Sequence, residues 1–492
     1  MLVDENYIRG KAAFFMENII LQIVQKTAKN FMEYYEAKGI HDLAGMAEEF
    51  KTISDEMARD VLGAFVSAAD DVIRSAREER MGDKIKIRES NVPRILLTAL
   101  GEFSYKRTYY DTPDGREYIV DNMLGVYAYE RIDQGISAKL VNHAAVHSYE
   151  KSAEIVTGGQ ISRQSVRNKA MNTGEVLYMP ERSAAAPESI HIFADEAHVN
   201  LQSGKNTILP LITVCAGKQK VCKGRNELIE PFHVHGYKLK PEEHWEYVYA
   251  LCAEKYDMSL VKEVYIYGDG ASWIKSAFDV FAEAVHVLDE FHFKKRLRNL
   301  LAGKICSAFN LIVGTSIKAN DKRTFDKTVQ DMLTAIEEKM PVLEERDKKI
   351  KSVKEHAAYI LNHWDAIQNI KLPGAIGSCT EAMISHALAQ RFSRSPMGWS
   401  EAGLSKLAMI RVFVLNGCNI KPADTLAWKQ NDGKRSAITT FEKYGSLVKK
   451  QQDTILKGAK NWRWFEVDEL ISGKITGTKV ALDALGRIRN IS

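Results

Sequence analysis

Residues 189–199 read SIHIFADEAHV, and residues 264–270 read VYIYGDG. Each is an apolar run of strand length carrying one aspartate. Asp195 sits among apolar residues in the first, and Asp269 lies between Gly268 and Gly270 at the tip of the second. A carboxylate among apolar neighbours is costly to bury without a partner or an ion. Two flanking glycines keep the backbone at Asp269 open to a ligand. Taken singly, each acid has a bland reading: a strand aspartate is commonly an edge or capping residue, and Gly-Asp-Gly is commonly a turn.

Outward from these runs the texture stays α/β. Residues 207–216 (TILPLITVCA) read as a second strand and 230–237 as a third. Residues 241–256 open with Pro-Glu-Glu and place Trp245, Val248 and Leu251 on one helical side. A helix at 272–282, a strand at 285–288 and a basic helix at 291–301 complete the order β-β-β-α-β-α-β-α. Residues 302–370 are helical with charged faces such as EERDKKIKSVKEH, until Leu372-Pro373-Gly374 breaks the pattern. A helix at 380–391 follows, begun by Ser378 and Thr380, with Glu381 one residue inside it; another spans 401–415.

Upstream, residues 6–90 show helical stripes (Ile19, Ile20, Ile23, Val24; Met57, Val61, Phe65) to which no chemistry is assigned. The pattern changes at Val92-Pro93. Strand-like runs ILLTALGEFSYKRTYYDT and REYIVD are joined by Thr112-Pro113-Asp114-Gly115, a turn signal, so a β-hairpin is expected. Its Tyr105, Lys106, Arg107, Tyr109 and Tyr110 admit two readings, contact with DNA or a packed face. Residues 137–170 return to helix, with a Gly158-Gly159 turn and a second helix capped by Ser162. This is the outline of a helix-turn-helix, burying Val166 and Ala170 and exposing Arg163, Gln164, Arg167 and Asn168, the side-chain types that meet base edges and phosphates. A helical hairpin with no DNA role is the alternative.

The 492 residues are 45% hydrophobic and 27% charged, as in folded proteins, and their number suggests roughly three domains. Sixty-eight basic against 64 acidic residues leave a net charge of only +4, so any polyanion would be met by local patches. One is FKKRLRN, with Lys294, Lys295 and Arg296; the stretch 421–492 is also basic. The six cysteines form no C-x-x-C pair, against a disulfide framework or a zinc finger. His233 and His235 share a strand face, with His191, His198 and His286 near in sequence, but no cysteine stands at ligand spacing for zinc. No signal peptide is evident, and no apolar run nears the ~20 residues that span a bilayer. A cytoplasmic, nucleoid-associated protein is expected. Walker, G-x-S-x-G and H-E-x-x-H motifs are absent from the sequence. Trp364 is read as core or as a platform for an unpaired base.

Phosphodiester cleavage and transfer suit two divalent ions clamped by a few carboxylates from adjacent strands and a helix. Asp195 on the first strand, Asp269 after the fourth and Glu381 on a later helix make that pattern, which is the pattern of RNase H-like nucleases. Glu196 and Glu401 are the rival ligands.

The segments FADEAHVNLQ, YIYGDGASWI, LDEFHFKKRL and GSCTEAMISHALAQRFSRSPMGWSEAG resemble the ISLre family of bacterial insertion-sequence transposases and, more distantly, Mutator-like transposases. The resemblance runs from about Val92 to Asn416. It implies an α/β RNase H-like core, a mixed sheet with flanking helices, interrupted by an all-α insertion and preceded by helical, β-hairpin and helix-turn-helix regions. The expected boundaries are 1–91, 92–135, 136–180, 188–301, 302–371, 372–420 and 421–492. It further implies that Asp195, Asp269 and Glu381 are the catalytic acids holding two Mg²⁺ or Mn²⁺ ions. Asp289 and His292 match the C/D-x-x-H motif of these relatives, either organising the site or positioning DNA; Asp289 could equally cap the following helix. The implied partners are terminal inverted repeats, target DNA and further copies of the chain. A DNA-binding protein without transposition and a stand-alone nuclease are the alternatives.

Overall fold

The computed structural model describes residues 5–394 and 398–426, with side chains from Asn18 onward. These fall into two units, one up to Asp133 and one from Gln134. The expected basic region at 421–492 lies outside the described residues from 427 on.

In the first unit, α1 (Glu5–Lys38) packs on α2 (Leu43–Ser75), and the short α3 (Arg77–Gly82) follows. Asp42 caps α2 by accepting from Gly45 N at 2.7 Å. Lys26 of α1 reaches Glu56 (3.0 Å) and Asp60 (2.8 Å) of α2. Strand β1 (Lys86–Thr98) begins before Val92, so the helical region ends earlier than expected. The run read as one strand folds back on itself. β1 pairs antiparallel with β2 (Gly101–Thr112) through a two-residue turn between Thr98 and Gly101, whose φ of +90° suits glycine. The Thr112–Gly115 turn leads only into β3 (Gly115–Glu117), and the residues read as its strand form α4 (Ile119–Met123).

The aromatic-basic stretch of β2 is packed except at Lys106, which is exposed. Tyr105 and Tyr110 are buried, and the Tyr105 hydroxyl donates to Asp121 at 2.6 Å. Arg107 is ion-paired with Asp121 and lies 3.6 Å above the Tyr118 ring. Buried Asp70 of α2 accepts from Thr108 N (2.9 Å) and Oγ1 (2.6 Å), tying helix to hairpin.

The second unit opens with α5 (Gln134–Val146), α6 (Tyr149–Thr157) and α7 (Arg163–Asn172). Ser148 and Ser162 cap α6 and α7, and Gly158 ends α6 at φ +60°. Helix α7 buries Val166 and Ala170, exposes Arg163, Gln164 and Asn168, and leaves Arg167 half-buried.

Then come β4 (Ser189–Asn200), β5 (Asn206–Cys215), the hairpin β6 (Gly217–Cys222) and β7 (Arg225–Ile229), and β8 (Phe232–His235). The β6–β7 hairpin, polar and largely exposed, has no apolar alternation and was not expected. Helix α8 (Pro241–Lys255) precedes β9 (Glu263–Gly268). The expected helix at 272–282 is two single turns, α9 (Ser272–Lys275) and α10 (Ala277–Val280), before β10 (Val285–Leu288). The main sheet has the order β10-β9-β4-β5-β8, with β4 parallel to β9 and antiparallel to β5. Trp245, Val248 and Leu251 of α8 cover Ile192, Ala194 and Ile212 on one face.

Helix α11 (Glu290–Leu300) leads into α12 (Lys304–Ser307), α13 (Asn310–Lys318), α14 (Lys322–Lys339), α15 (Leu343–Asn362) and α16 (Trp364–Gln368). These close around their own core, including Phe325, Met332, Ile336, Val353 and Ile360. Trp364 belongs to that core, with its indole N–H on Asn320 Oδ1 at 2.6 Å, so it is no base platform. The chain returns to the sheet as α17 (Thr380–Ile384), a π-helical turn (Ser385–Ala389) and α18 (Gln390–Phe392), where one regular helix was expected. With α19 (Glu401–Leu415) this stretch buries Ile384, Leu388, Phe392, Leu404 and Leu407 against Ala197, Val199 and Leu211 on the other sheet face. No described helix is long and apolar enough to cross a membrane.

Candidate active site

β4 and β9 run side by side, and their last paired residues are Phe193 and Tyr267. Two residues further on come Asp195, within β4, and Asp269, the first residue past β9. Parallel pairing therefore brings both acids to one level, where β9 ends. Gly268 is needed there, since a Cβ would fall 2.7 Å from Ile274 Cδ1 and 3.1 Å from the Ala194 carbonyl oxygen. Gly270 has φ +84°, and a Cβ would stand 2.0 Å from His363 Nε2. The glycines around Asp269 thus answer close approach and a left-handed backbone.

Each aspartate is aimed by a local bond. Asp195 Oδ1 accepts from Glu196 N at 2.8 Å, and Asp269 Oδ1 from Ala271 N at 2.9 Å. Burial pushes the Asp195 carboxyl up to about 6; Asp269 and Asp289 push the same way, while the Glu196 N–H and His292 oppose. From α15, the Tyr359 hydroxyl donates to the Asp269 carbonyl at 2.7 Å, and His363 Nδ1 lies 2.8 Å from the Tyr359 carbonyl. The helical stretch thereby braces the Asp269 turn. Nothing in the sequence pointed to Tyr359 or His363, which stand some ninety residues downstream.

Asp289 is 2% exposed and does two things. It caps α11, accepting from His292 N at 3.1 Å, and it holds the His292 ring, whose Nδ1 lies 2.7 Å away. The Ser378 hydroxyl and Thr380 Oγ1 (2.6 Å) donate to its other oxygen. Burial alone would raise this carboxyl, but the hydrogen bonds outweigh it and hold it down to about 2. The bond to Asp289 raises His292, with Asp195 and Asp269 adding to the effect. Capping and organising, left open by the sequence, are both present. Ser378 and Thr380, read only as helix-starting residues, spend their hydroxyls tying α17 to the start of α11.

Glu381 follows Thr380 on the first turn of α17, which packs against β4. Its neighbours Cys379 and Met383 cover Phe193, so α17 lies on the sheet face that carries Asp195. Glu381 itself is exposed. Among the described residues, no three His, Cys, Asp or Glu side chains stand close enough to hold a metal ion. The rival acids are engaged elsewhere. Glu196 points to the opposite face and accepts from Trp273 Nε1 at 2.7 Å, and Glu401 pairs with Lys238 at 3.1 Å. His191 stacks on Tyr265 and lies 3.2 Å from the Tyr267 hydroxyl, while His233 bonds Thr213 at 2.8 Å.

One turn beyond His292, α11 exposes Lys294, Lys295 and Arg296. Lys294 pairs with Glu290 at 2.6 Å, and the Arg296 guanidinium lies 4.7 Å from the Tyr359 ring centre.

Residues 37–429 match the family described as "Uncharacterised protein family (UPF0236)". The chain belongs to this family. One member from Caldanaerobacter subterraneus subsp. tengcongensis is 30% identical over 477 residues, 95% of this chain and 97% of the relative. A second UPF0236 protein of that organism is 31% identical over 457 residues, 91% and 93% of the two chains. A UPF0236 protein of Streptococcus gallolyticus, named for the vanSb 3′ region, is 21% identical over 335 residues, 64% of this chain and 71% of its own. The matched region contains every site residue described above.

Proposed function

We propose that the chain is a metal-dependent DNA transposase of RNase H-like fold that cuts and joins DNA around Asp195, Asp269 and Glu381. The observation that carries the reading is the convergence of Asp195 and Asp269 from adjacent parallel strands. Numbering the main-sheet strands in chain order gives 3-2-1-4-5, with only the second antiparallel to its sequence neighbours on both sides. This mixed five-stranded sheet supports the reading, since RNase H-like nucleases carry acids on the first strand and after the fourth. A second support is copy number, since the name of one relative covers eleven loci of a single genome. Mobile elements multiply in that way.

The donor set fits hard divalent cations, because the Asp195 carboxyl that burial pushes up to about 6, with Asp269 and Asp289 adding to the effect, would be relieved by positive charge. Asp195 and Asp269 would hold such ions, with Glu381 as third ligand. Bound there, Mg²⁺ or Mn²⁺ would lower the pKa of the attacking water or 3′-hydroxyl and stabilise the leaving oxygen. His292, drawn toward its charged form by Asp289, brings a proton donor to the same end of the sheet. The exposed basic turn of α11 and helix α7 present cations to DNA, and further copies of the chain would bring two element ends together.

A DNA-binding protein that keeps the fold without cutting is the second reading, favoured by the absence of a closed three-ligand cluster among the described residues. Incubating the purified chain with duplex DNA bearing the element ends and Mg²⁺ separates the two. Nicked and joined products support the transposase; tight binding with intact strands contradicts it.

A further inference from the structure

A cavity of about 420 Å³ opens in the second unit, between the α6–α7 pair and the start of α19. Three arginines line it, Arg163 and Arg167 from α7 and Arg391 from α18, against a single acid, Glu150.

Arg391 is the unusual member. It is 3% exposed, and its Nε donates to the Ala144 carbonyl at 2.9 Å. Its guanidinium stands 5.0 Å from the Trp399 ring centre and 5.4 Å from that of Tyr149. Yet Nη2 is buried with no hydrogen-bond partner. A buried guanidinium donor left unpaired is unfavourable, and ring faces and one carbonyl supply no full counter-charge. Burial lowers Arg391 to about 10, with repulsion from Arg411 adding. Burial raises the Tyr149 hydroxyl, and the charges of Arg391 and Arg167 both oppose that rise.

Two backbone features complete the site. The π-helical turn directly before α18 inserts an extra residue into the helix and so re-aims the side chains after it, Arg391 among them. Ser400, also in the lining, caps the fifteen-residue α19, whose N-terminus adds positive potential.

We propose that this pocket grips a backbone phosphate of duplex DNA, with Arg391 supplied by the core and Arg163 and Arg167 by α7. The proposal rests on the reading of the chain as a DNA-processing enzyme. It gives Arg163 and Arg167 a different task from the one expected of a recognition helix: they position the duplex, while exposed Gln164 and Asn168 remain for base edges.

The test uses the full chain, a fluorescent duplex and Ca²⁺, with anisotropy read over a salt series. Arg167→Ala and Arg391→Gln should each weaken binding by about tenfold and flatten the slope of log affinity against log salt by about one. Circular dichroism checks folding; if Arg391→Gln fails to fold, Arg167→Ala on the half-buried α7 face decides. Wild-type affinity and slope in the folded variants overturn the proposal. If inorganic phosphate stabilises the wild type but not those variants while their DNA binding is unchanged, the pocket serves free phosphate and the DNA assignment is equally overturned. Failure here leaves cleavage by the wild type untouched. A chain whose Arg167→Ala variant loses DNA affinity, but whose wild type never cuts, keeps the pocket and loses the transposase reading.

Discussion

Asp195 on β4 and Asp269 just past the end of the parallel β9 stand at one level, each two residues beyond the Phe193–Tyr267 pair. Two like charges held together by strand register are an expense in the metal-free protein. Removing either should relieve it, so Asp195→Asn and Asp269→Asn should melt higher than the wild type in chelator, by about 2–4 °C for a unit of this size. Mn²⁺ should then raise the melting temperature of the wild type more than that of either variant. A lower melting temperature for both variants in chelator would show that the acids stabilise the fold instead.

Asp289 is a structural hub. Its carboxylate satisfies a helix N-terminus, a histidine ring and two hydroxyls at once. Asp289→Ala should cost about 3 kcal/mol in denaturant unfolding, since it strands His292, the buried Thr380 hydroxyl and the half-buried Ser378 hydroxyl. Thr380→Val, which removes one donor, should cost about 1 kcal/mol. Equal, small losses for both would mean that the four bonds do not act as a network.

Gly270→Ala meets two obstacles, the left-handed backbone and the His363 ring. The single variant should be clearly destabilised. Adding His363→Ala should restore part of the loss and leave roughly 1 kcal/mol of backbone strain. A double variant no better than Gly270→Ala alone would place the whole cost in the backbone.

Acid sensitivity follows from buried neutral histidines. Burial holds His191, His233, His235 and His244 down to about 4. A histidine whose folded pKa is depressed takes up its proton only on unfolding between about pH 6.5 and 4, so stability falls as pH drops through that window. Each should remove on the order of 1–2 kcal/mol by pH 5. Thermal melts from pH 7.5 to 5 should shift steadily downward, and a flat profile would contradict neutral burial.

Much of the second unit was legible because burial imposes simple periods. Apolar runs marked β4, β5, β9 and β10, and Trp245, Val248 and Leu251 marked the face of α8. The long run at 95–112 misled, because both arms of a hairpin alternate alike and the two-residue turn at Ala99-Leu100 carries no turn-forming residue. The polar β6–β7 hairpin gave no signal at all. Among the site residues, Asp195 and Asp269 stood out as acids in apolar runs. Asp289 and His292 were visible as a spaced pair, but their links to Ser378 and Thr380 depend on contacts across some ninety residues. The π-turn before Arg391 left no mark either, since its residues fit a regular helical stripe.

The most direct test of the central claim is strand cleavage of end-bearing DNA by Asp195→Asn, Asp269→Asn and Glu381→Gln. Each amide removes a charge and almost no volume, so a structural acid would tolerate it and a metal ligand would not. The account predicts that all three variants stay folded by circular dichroism yet lose cleavage by orders of magnitude and to a similar degree, as residues acting in one unit do. Mn²⁺ should serve at least as well as Mg²⁺, and Ca²⁺ should permit binding without cutting. Cleavage by the wild type that survives complete chelation, or an amide variant cutting at the wild-type rate, would contradict it.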